Sequence, residues 1–194
     1  ESTEGSVKIF DCRFALNDPD AGRAAYEGSH IPGAVYVDLE KDLSGSIAPD
    51  TGRHPLPDFA VWREKLLSLG IDGDSTVALY DGGPGVFAAR FWWMLGWAGI
   101  ANVMLLDGGF EEWRRQGLSL ETVEHSVGKG LASSDTVSQT ESAGYVNANY
   151  LMTRLSAPDP LVIDAREPER FSGRKEPLDK KAGCIPGAVN RHFA

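Results

Sequence analysis

The chain has 194 residues, of which 42% are hydrophobic and 24% are charged, a composition typical of a globular protein of one or two domains. Its 28 Asp and Glu outnumber its 19 Lys and Arg, so the formal net charge is −9. Because this charge opposes attraction to phosphates and anionic lipid, we expect no nucleic-acid and no membrane partner. Two cysteines are too few for a disulfide framework, which favours a cytoplasmic location, and no cluster has metal-ligand spacing.

Short apolar runs alternate with helical patterns as far as about residue 116, which predicts strands joined by crossover helices in a mostly parallel sheet. The predicted strands are Val7–Asp11, Ala34–Val37, Thr76–Tyr80 and Val103–Leu106. The predicted helices are Asp20–Tyr26, Asp58–Leu69, Gly85–Trp97 and Phe110–Gln116. Asp58 is suited to cap a helix, and Gly70 and Gly117 are suited to end one. This pattern indicates a three-layer α/β fold.

The apolar run at 91–106 is shorter than the roughly 20 residues that a membrane-spanning helix needs. It also contains Gly96, Gly99 and Asn102, so we interpret it as helix, turn and strand. The strand, Val103–Leu106, is expected to be buried. The helix is expected to direct Trp92, Trp93, Leu95 and Trp97 toward the core.

A second unit is expected after a polar stretch. We assign residues 1–120 to a first domain, 121–143 to a linker that runs over the surface and 144–194 to the start of a second domain. Within the second domain, Val146–Leu155 has helical character and Leu161–Asp164 is predicted to be a short buried strand.

Two motifs recur in the same order. Ile9-Phe10-Asp11-Cys12-Arg13 returns as Val162-Ile163-Asp164-Ala165-Arg166, 153 residues further on. His30-Ile31-Pro32-Gly33-Ala34-Val35 returns as Cys184-Ile185-Pro186-Gly187-Ala188-Val189, 154 residues further on. Two motifs at nearly one offset predict a duplicated domain. Each has a structural reading, the first as a buried strand that ends in polar groups and the second as a turn that restarts a strand.

A glycine-rich segment follows the third predicted strand, with the sequence Asp81-Gly82-Gly83-Pro84-Gly85-Val86. Its three glycines allow backbone N–H groups to turn inward, and a helix N-terminus adds its positive end, so the loop suits an anion or a thiolate. Asp81, at the head of the loop, competes for the same donors. We expect its carboxylate to satisfy the loop internally.

These segments and two others form a family pattern. The others are Ala89-Arg90-Phe91-Trp92-Trp93 and Leu106-Asp107-Gly108-Gly109-Phe110. Together the segments resemble the tandem-domain rhodanese-like sulfurtransferases, which act on thiosulfate or mercaptopyruvate, over nearly the whole chain. The resemblance implies two tandem repeats of a rhodanese-like α/β/α fold with a mostly parallel sheet.

In that family, the resemblance implies, a cysteine heads the loop of the C-terminal repeat. Its thiolate takes a sulfur atom from a small anionic donor and passes it to cyanide or another thiophilic acceptor, without a cofactor. Asp81 cannot form a persulfide, so we expect the first domain to be catalytically silent. Adding the repeat offset of 153 residues to position 81 places the equivalent of Asp81 at position 234, which is 40 residues past Ala194. We therefore expect a truncated second domain, and activity in the full-length parent rather than in this chain.

Neither cysteine is expected to be catalytic. Cys12 follows a strand and matches Ala165 in the repeat, which indicates a buried structural thiol. Cys184 occupies the position of His30 and has no glycine-rich loop after it. The chain is therefore expected to contain no catalytic residue.

Two arginines after the second-repeat strand resemble the family's cationic substrate-binding segment. We expect Arg170 and Arg166 to bind the anionic donor, since a guanidinium pairs bidentately with such groups. The alternative is that Arg166 pairs with Asp164, as Arg13 is expected to pair with Asp11.

The histidines point to no catalytic triad. His30 is expected to be a hydrogen-bonded turn residue, whereas His54, His125 and His192 lie in polar or terminal stretches without a paired base.

Three other functions stay open. A non-catalytic rhodanese-fold module that binds an anion or a protein explains Asp81 directly. Dinucleotide binding is disfavoured because Pro84 removes a donor from the loop, and a phosphatase-type anion loop also needs a cysteine at its head.

Overall fold

A computed structural model describes residues 7–125, 136–140, 144–155 and 160–193, and the chain divides into two compact units, Glu1–Ala143 and Gly144–Ala194. The elements of the first unit are β1 Lys8–Asp11, α1 Ala21–Gly28, β2 Val35–Tyr36, α2 Phe59–Ser68, β3 Val77–Tyr80, α3 Val86–Trp97, β4 Val103–Leu105 and α4 Gly109–Arg115. Those of the second are α5 Ala148–Met152, β5 Ile163–Asp164, α6 Pro168–Phe171 and β6 Val189–Asn190. The predicted α/β order of the first unit is confirmed. Among the described residues, no helix has the length and apolar character needed to cross a membrane.

The first unit is built on a parallel sheet with the strand order β2-β1-β3-β4. The chain leaves β1 in one direction to form β2, then crosses back past β1 to form β3 and β4. Because crossovers between parallel strands are right-handed, α1 lies on one face of this sheet and α2 and α3 lie on the other.

Each face of the sheet has its own apolar core, as the alternation of side chains along a strand requires. On one face, Phe10 and Leu79 pack with the α2 and α3 side chains Trp62 and Phe91. On the opposite face, Tyr80 packs with Ile31 and Ala34 of the turn before β2 and with Phe110 of α4. The two cores establish the three-layer arrangement.

Local signals set the ends of helix α2 as predicted. The Asp58 carboxylate accepts a hydrogen bond of 2.8 Å from the Ala60 N–H, which satisfies one of the donors exposed at a helix start. Gly70 follows the helix with φ +67°, a left-handed conformation that glycine adopts without strain.

Strand β4 is not buried, contrary to the prediction. Met104 and Leu105 are 50% and 43% exposed. The reason is its place at the edge of the sheet, where it pairs with β3 alone among the described residues. Helix α3 differs from the prediction at one position. Trp92 is half exposed, whereas Leu95 and Trp97 are buried. Side chains that share a helix face are three or four residues apart, so Trp92 points away from the face that packs on the core.

The described parts of 121–143 pack on the first unit, although this stretch was predicted to run over the surface. His30 and Glu121 form an antiparallel bridge through their main chains. Val137 is 4% exposed within the core, and the Thr136 hydroxyl accepts a 2.9 Å hydrogen bond from the Gly73 N–H. The polar composition of this segment conceals these few anchoring residues.

In the second unit, β5 and β6 form a parallel pair with Ile163 opposite Val189. The same register joins Phe10 to Val35 in the first unit, at offsets of 153 and 154 residues. The predicted strand is present but exposed, with Leu161 and Ile163 at 65% and 57%. Neither helix of this unit buries a residue, so nothing described within the unit covers these side chains.

Candidate functional site

The glycine-rich loop lies where the sheet changes direction. Strand β1 connects outward to β2 on one side, and its neighbour β3 connects outward to β4 on the other. Ligands of open α/β sheets bind outside the carboxyl ends of the strands at such a point. Asp11 ends β1 here, and Asp81 immediately follows β3.

The Asp81 carboxylate accepts four hydrogen bonds from the loop and the first turn of α3. Oδ1 accepts from the N–H groups of Gly83 and Gly85, both at 3.0 Å. Oδ2 accepts from the N–H groups of Phe87 and Ala88, at 2.9 and 3.4 Å. Asp81 is 2% exposed, so the loop is an anion cradle filled by its own side chain, as predicted.

The Asp107-Gly108-Gly109 segment packs against this loop. The N–H of Phe110 donates to the Asp81 carbonyl at 2.8 Å. Gly109 has φ +58°, and a Cβ there would lie 2.6 Å from the same carbonyl oxygen. A larger residue at 109 therefore cannot keep this contact, which is a role for the second glycine that sequence reasoning did not identify.

A polar network next to the loop ties β1 to β3. The Arg13 guanidinium donates to both oxygens of Asp11, with Nε 3.1 Å from Oδ1 and Nη2 2.6 Å from Oδ2, and the Tyr80 hydroxyl donates to Oδ2 at 2.8 Å. Arg13 also lies 4.0 Å from the centroid of the Phe110 ring. Burial and the negative charge of Asp11 raise the pKa of Tyr80, so its hydroxyl stays protonated. The predicted pairing of Arg13 with Asp11 is confirmed, and its role is structural.

The two cysteines differ in their surroundings. Cys12 is 2% exposed, and burial, followed by the charges of Asp11 and Asp81, raises the pKa of its thiol well above the usual value. A protonated buried thiol is a poor nucleophile, which confirms the structural interpretation of Cys12. Cys184 is exposed in the second unit.

Each of the two arginines predicted to bind substrate forms ion pairs with acidic side chains. Arg166 binds Asp164 through Nη2 at 2.7 Å, and its Nη1 lies 3.4 Å from Glu176. Arg170 forms a forked pair with both oxygens of Glu176 and a 2.7 Å ion pair with Asp179. The structure thus shows the pairing that was the alternative for Arg166, and it adds carboxylates that the sequence pattern did not single out.

Glu176 links the two arginines. Its side chain is 5% exposed, and desolvation acts to raise its pKa. Hydrogen bonds from Arg170 and from the N–H groups of Asp179 and Leu178 outweigh desolvation and lower the pKa to about 2. Glu176 is therefore a carboxylate at neutral pH and keeps both guanidinium groups in place.

A second polar cluster lies at His30. His30 is fully buried and hydrogen-bonded, as predicted, with Nδ1 2.8 Å from the Tyr26 carbonyl oxygen. His125 was expected to have no paired base, but its Nε2 lies 2.7 Å from Glu121 Oε1. The Gly33 N–H, with a smaller effect from His125, holds the pKa of Glu121 below its usual range. Sequence spacing missed this cluster because His30 lies far from the other two residues along the chain.

Comparison with known proteins agrees with this geometry. The Rhodanese-like domain family matches residues 1–116. A Pseudomonas aeruginosa protein named "Probable 3-mercaptopyruvate sulfurtransferase" is 46% identical over 96% of this chain and 65% of its own length. The Mycobacterium tuberculosis protein SseB, whose name carries a provisional thiosulfate sulfurtransferase assignment, is 42% identical over 95% of this chain and 63% of its own length. The chain thus spans slightly less than two thirds of these two relatives.

A solved structure has the same fold. The 3-mercaptopyruvate sulfurtransferase from Leishmania major is 29% identical to this chain, with a TM-score of 0.82. The match covers 96% of this chain and 51% of the Leishmania chain.

Proposed function

Because the chain belongs to the rhodanese-like sulfurtransferase family, we propose that it is part of an enzyme that moves sulfane sulfur through a cysteine persulfide. The donor is a small anion of the thiosulfate or mercaptopyruvate type, and the acceptor is cyanide or another thiophile. The observation that carries the proposal is the Asp81 loop, in which four N–H groups converge on one anionic side chain. A thiolate in an equivalent loop receives the same stabilisation, which favours its reactive form.

The proposed reaction has two steps. The thiolate attacks the outer sulfur of thiosulfate, the sulfur–sulfur bond breaks and sulfite leaves with the electron pair. Cyanide then attacks the terminal sulfur of the persulfide, which releases thiocyanate and regenerates the thiolate. With mercaptopyruvate, the carbon–sulfur bond breaks instead, and the carbon takes up a proton to give pyruvate. Neither route requires a metal or organic cofactor.

In this proposal the first unit is a silent copy. A carboxylate oxygen at Asp81 cannot exchange sulfane sulfur, and it already occupies the donors that would stabilise a persulfide. The reactive cysteine is assigned to the matching loop of the second repeat, at about position 234 by the repeat offset. Cys12 is excluded by its burial and raised pKa.

Arg166 and Arg170 are proposed to bind the donor anion. Since Glu176 and Asp179 now neutralise Arg170, the donor must bind to the remaining N–H groups or displace a carboxylate. Replacing Arg170 with Gln in the full-length protein is expected to raise KM for the donor about 10- to 100-fold, the loss expected for a charge-assisted hydrogen bond.

A thiocyanate assay tests the proposal. The full-length protein is expected to form thiocyanate from cyanide with thiosulfate or mercaptopyruvate. The 194-residue chain is expected to give only background, with or without Cys184→Ser. Turnover by this chain that disappears in Cys184→Ser would contradict the assignment of the nucleophile.

A binding module is the second candidate, favoured by the same internally satisfied Asp81 loop. It accounts for the acid at the head of the loop without a cysteine elsewhere. No thiocyanate from the full-length protein with either donor would favour this candidate over the enzyme.

A further inference from the structure

Three side chains of the first unit bring metal-binding atoms together in a place separate from the Asp81 loop. His30, Glu121 and His125 each contribute one nitrogen or oxygen atom, and these atoms all lie within 4.8 Å of one another. Glu121 Oε1 lies 3.6 Å from His30 Nε2 and 2.7 Å from His125 Nε2. A tetrahedral zinc ion holds neighbouring ligand atoms roughly 3.4 Å apart, so the first pair is near that spacing and the second must open by roughly 0.7 Å.

The main chain holds these residues in place before any ion binds. His30 and Glu121 exchange two backbone hydrogen bonds, of 2.9 and 3.0 Å. The backbone N–H of His125 donates to the Tyr26 hydroxyl at 3.1 Å, and the N–H of Gly33 donates to Glu121 Oε1. The cluster is therefore tied to α1 and to the turn before β2 rather than left on a loose chain end.

The buried ring of His30 gives an independent sign that a cation belongs here. Its Nδ1 lies 2.8 Å from the Tyr26 carbonyl oxygen, which can only accept a hydrogen bond. Its Nε2 lies 3.0 Å from the Val123 carbonyl oxygen and 3.6 Å from Glu121. A neutral ring has one N–H and one lone pair, so the nitrogen without the proton faces a carbonyl oxygen with its lone pair, which is repulsive. A positive charge at Nε2, carried by a proton or by a metal ion, removes this repulsion.

We propose that His30, Glu121 and His125 form a site for a divalent transition-metal ion, of which zinc is the best fit. Two imidazoles and one carboxylate are a donor set that Zn²⁺ favours, and the Val123 carbonyl or a water molecule completes four ligands. The Nδ1–H of His30 donates to a main-chain carbonyl, the contact that commonly orients a metal-bound imidazole. On binding, each coordinating nitrogen releases any proton it carries to solvent. The ion joins residues 121–125 to His30, which lies between α1 and β2, and thereby stabilises the fold of the first unit.

Cobalt titration tests the site, because tetrahedral Co²⁺ absorbs visible light. The untagged 194-residue chain is stripped of metal with a chelator, and Cys184→Ser removes the exposed thiol as a competing ligand. One Co²⁺ per chain is expected to bind. His125→Ala and Glu121→Gln are each expected to lower the affinity by at least the roughly 10- to 100-fold that loss of an outer-shell partner costs.

His54→Ala is the matched control. His54 also faces a glutamate, with its Nε2 3.6 Å from Glu40, but it lies outside the cluster. This variant is expected to bind Co²⁺ as the parent does. Both ligand variants change partly exposed side chains, so the chain is expected to fold, and tryptophan fluorescence checks this.

Zinc provides the second readout. Zn²⁺ is expected to raise the Tm of the parent chain and of His54→Ala, but not that of His125→Ala. The absence of Co²⁺ binding to the parent chain overturns the proposal. Unreduced affinity in either ligand variant also overturns it.

Discussion

The two Asp-x-Arg motifs have nearly the same local geometry in very different surroundings. In the first unit, the Arg13 N–H lies 2.9 Å from Asp11 Oδ1, and Nη2 lies 2.7 Å from the Ser29 carbonyl. In the second unit, the matching distances of Arg166 are 2.9 Å to Asp164 and 2.6 Å to the Gly183 carbonyl. The strand end and the turn that follows are thus enough to build this pair.

The surroundings of the two pairs differ in burial and in the third partner. The Asp11 side chain is 0% exposed, whereas that of Asp164 is 13% exposed. Tyr80 donates to Asp11 within the core, whereas Glu176 is the further partner of Arg166. One motif thus makes the same contacts twice, and we expect its contribution to stability to depend on how deeply it is buried.

Replacing the arginine in each copy tests this difference and has the largest expected effect. Arg13→Met leaves the buried Asp11 without its counterion and is expected to lower the free energy of unfolding of the first unit by about 3–5 kcal/mol. Urea unfolding followed by tryptophan fluorescence measures this, because all five tryptophans lie between residues 62 and 113. Arg166→Met is expected to leave that transition unchanged.

Hydrogen exchange provides the local measurement in the second unit. The Arg191 N–H donates to the Asp164 carbonyl at 3.0 Å, and Arg166→Met is expected to weaken its protection by at most about 5-fold, the equivalent of about 1 kcal/mol for a partly exposed pair. A cost below about 1 kcal/mol for Arg13→Met would show that burial is not what separates the two copies.

Tyr80→Phe removes the third partner of the first copy and has the next largest effect. The variant loses the 2.8 Å bond to Asp11 and leaves the Ile31 N–H, now 3.2 Å from the hydroxyl, without its acceptor. We expect a loss of about 1–3 kcal/mol in the same urea experiment. Tyr36→Phe is the control, with an expected loss of about 0.5 kcal/mol, since its bond to the Arg13 carbonyl is 3.3 Å long. Equal losses in the two variants would contradict a special role for Tyr80.

Acid sensitivity in the second copy is the smallest predicted effect. Folding lowers the pKa of Glu176 from 4.5 to about 2, so its stabilisation is complete above about pH 4.5 and is lost as the pH falls toward 2. Exchange protection of the Leu178 and Asp179 amides, both 3.0 Å from Glu176 Oε1, is expected to follow this loss after correction for intrinsic rates. Glu176→Gln is expected to remove the dependence, whereas the exposed Glu169→Gln retains it. A dependence that persists in Glu176→Gln would assign it to another carboxylate.

Most of the first unit followed from local patterns. Apolar runs located β1 and β3, and Asp58 and Gly70 marked the ends of α2, because capping and strand formation involve neighbours in the chain. Burial was less predictable. The apolar pattern of Val103–Leu106 did not distinguish an edge strand from a central one, since that depends on which strands pair.

The candidate sites divide in the same way. The Asp81 cradle was predictable because its donors lie within seven residues of the carboxylate. The acids around Arg170 were not singled out, because a charged run gives no indication of which oxygen reaches which guanidinium. The substrate-binding role of Arg166 and Arg170 stays a prediction.

The alternation of strands and helices, the duplicated motifs and the acid in the glycine loop could be read directly from the printed residues, because each is a pattern in the sequence itself. Folding alone brought Tyr80 to Asp11 and Glu121 to His30. Such pairs join residues far apart in sequence, and their geometry depends on the packing of whole elements. For this reason the internally satisfied Asp81 loop was recognisable in advance, whereas the proposed metal site emerged only in three dimensions.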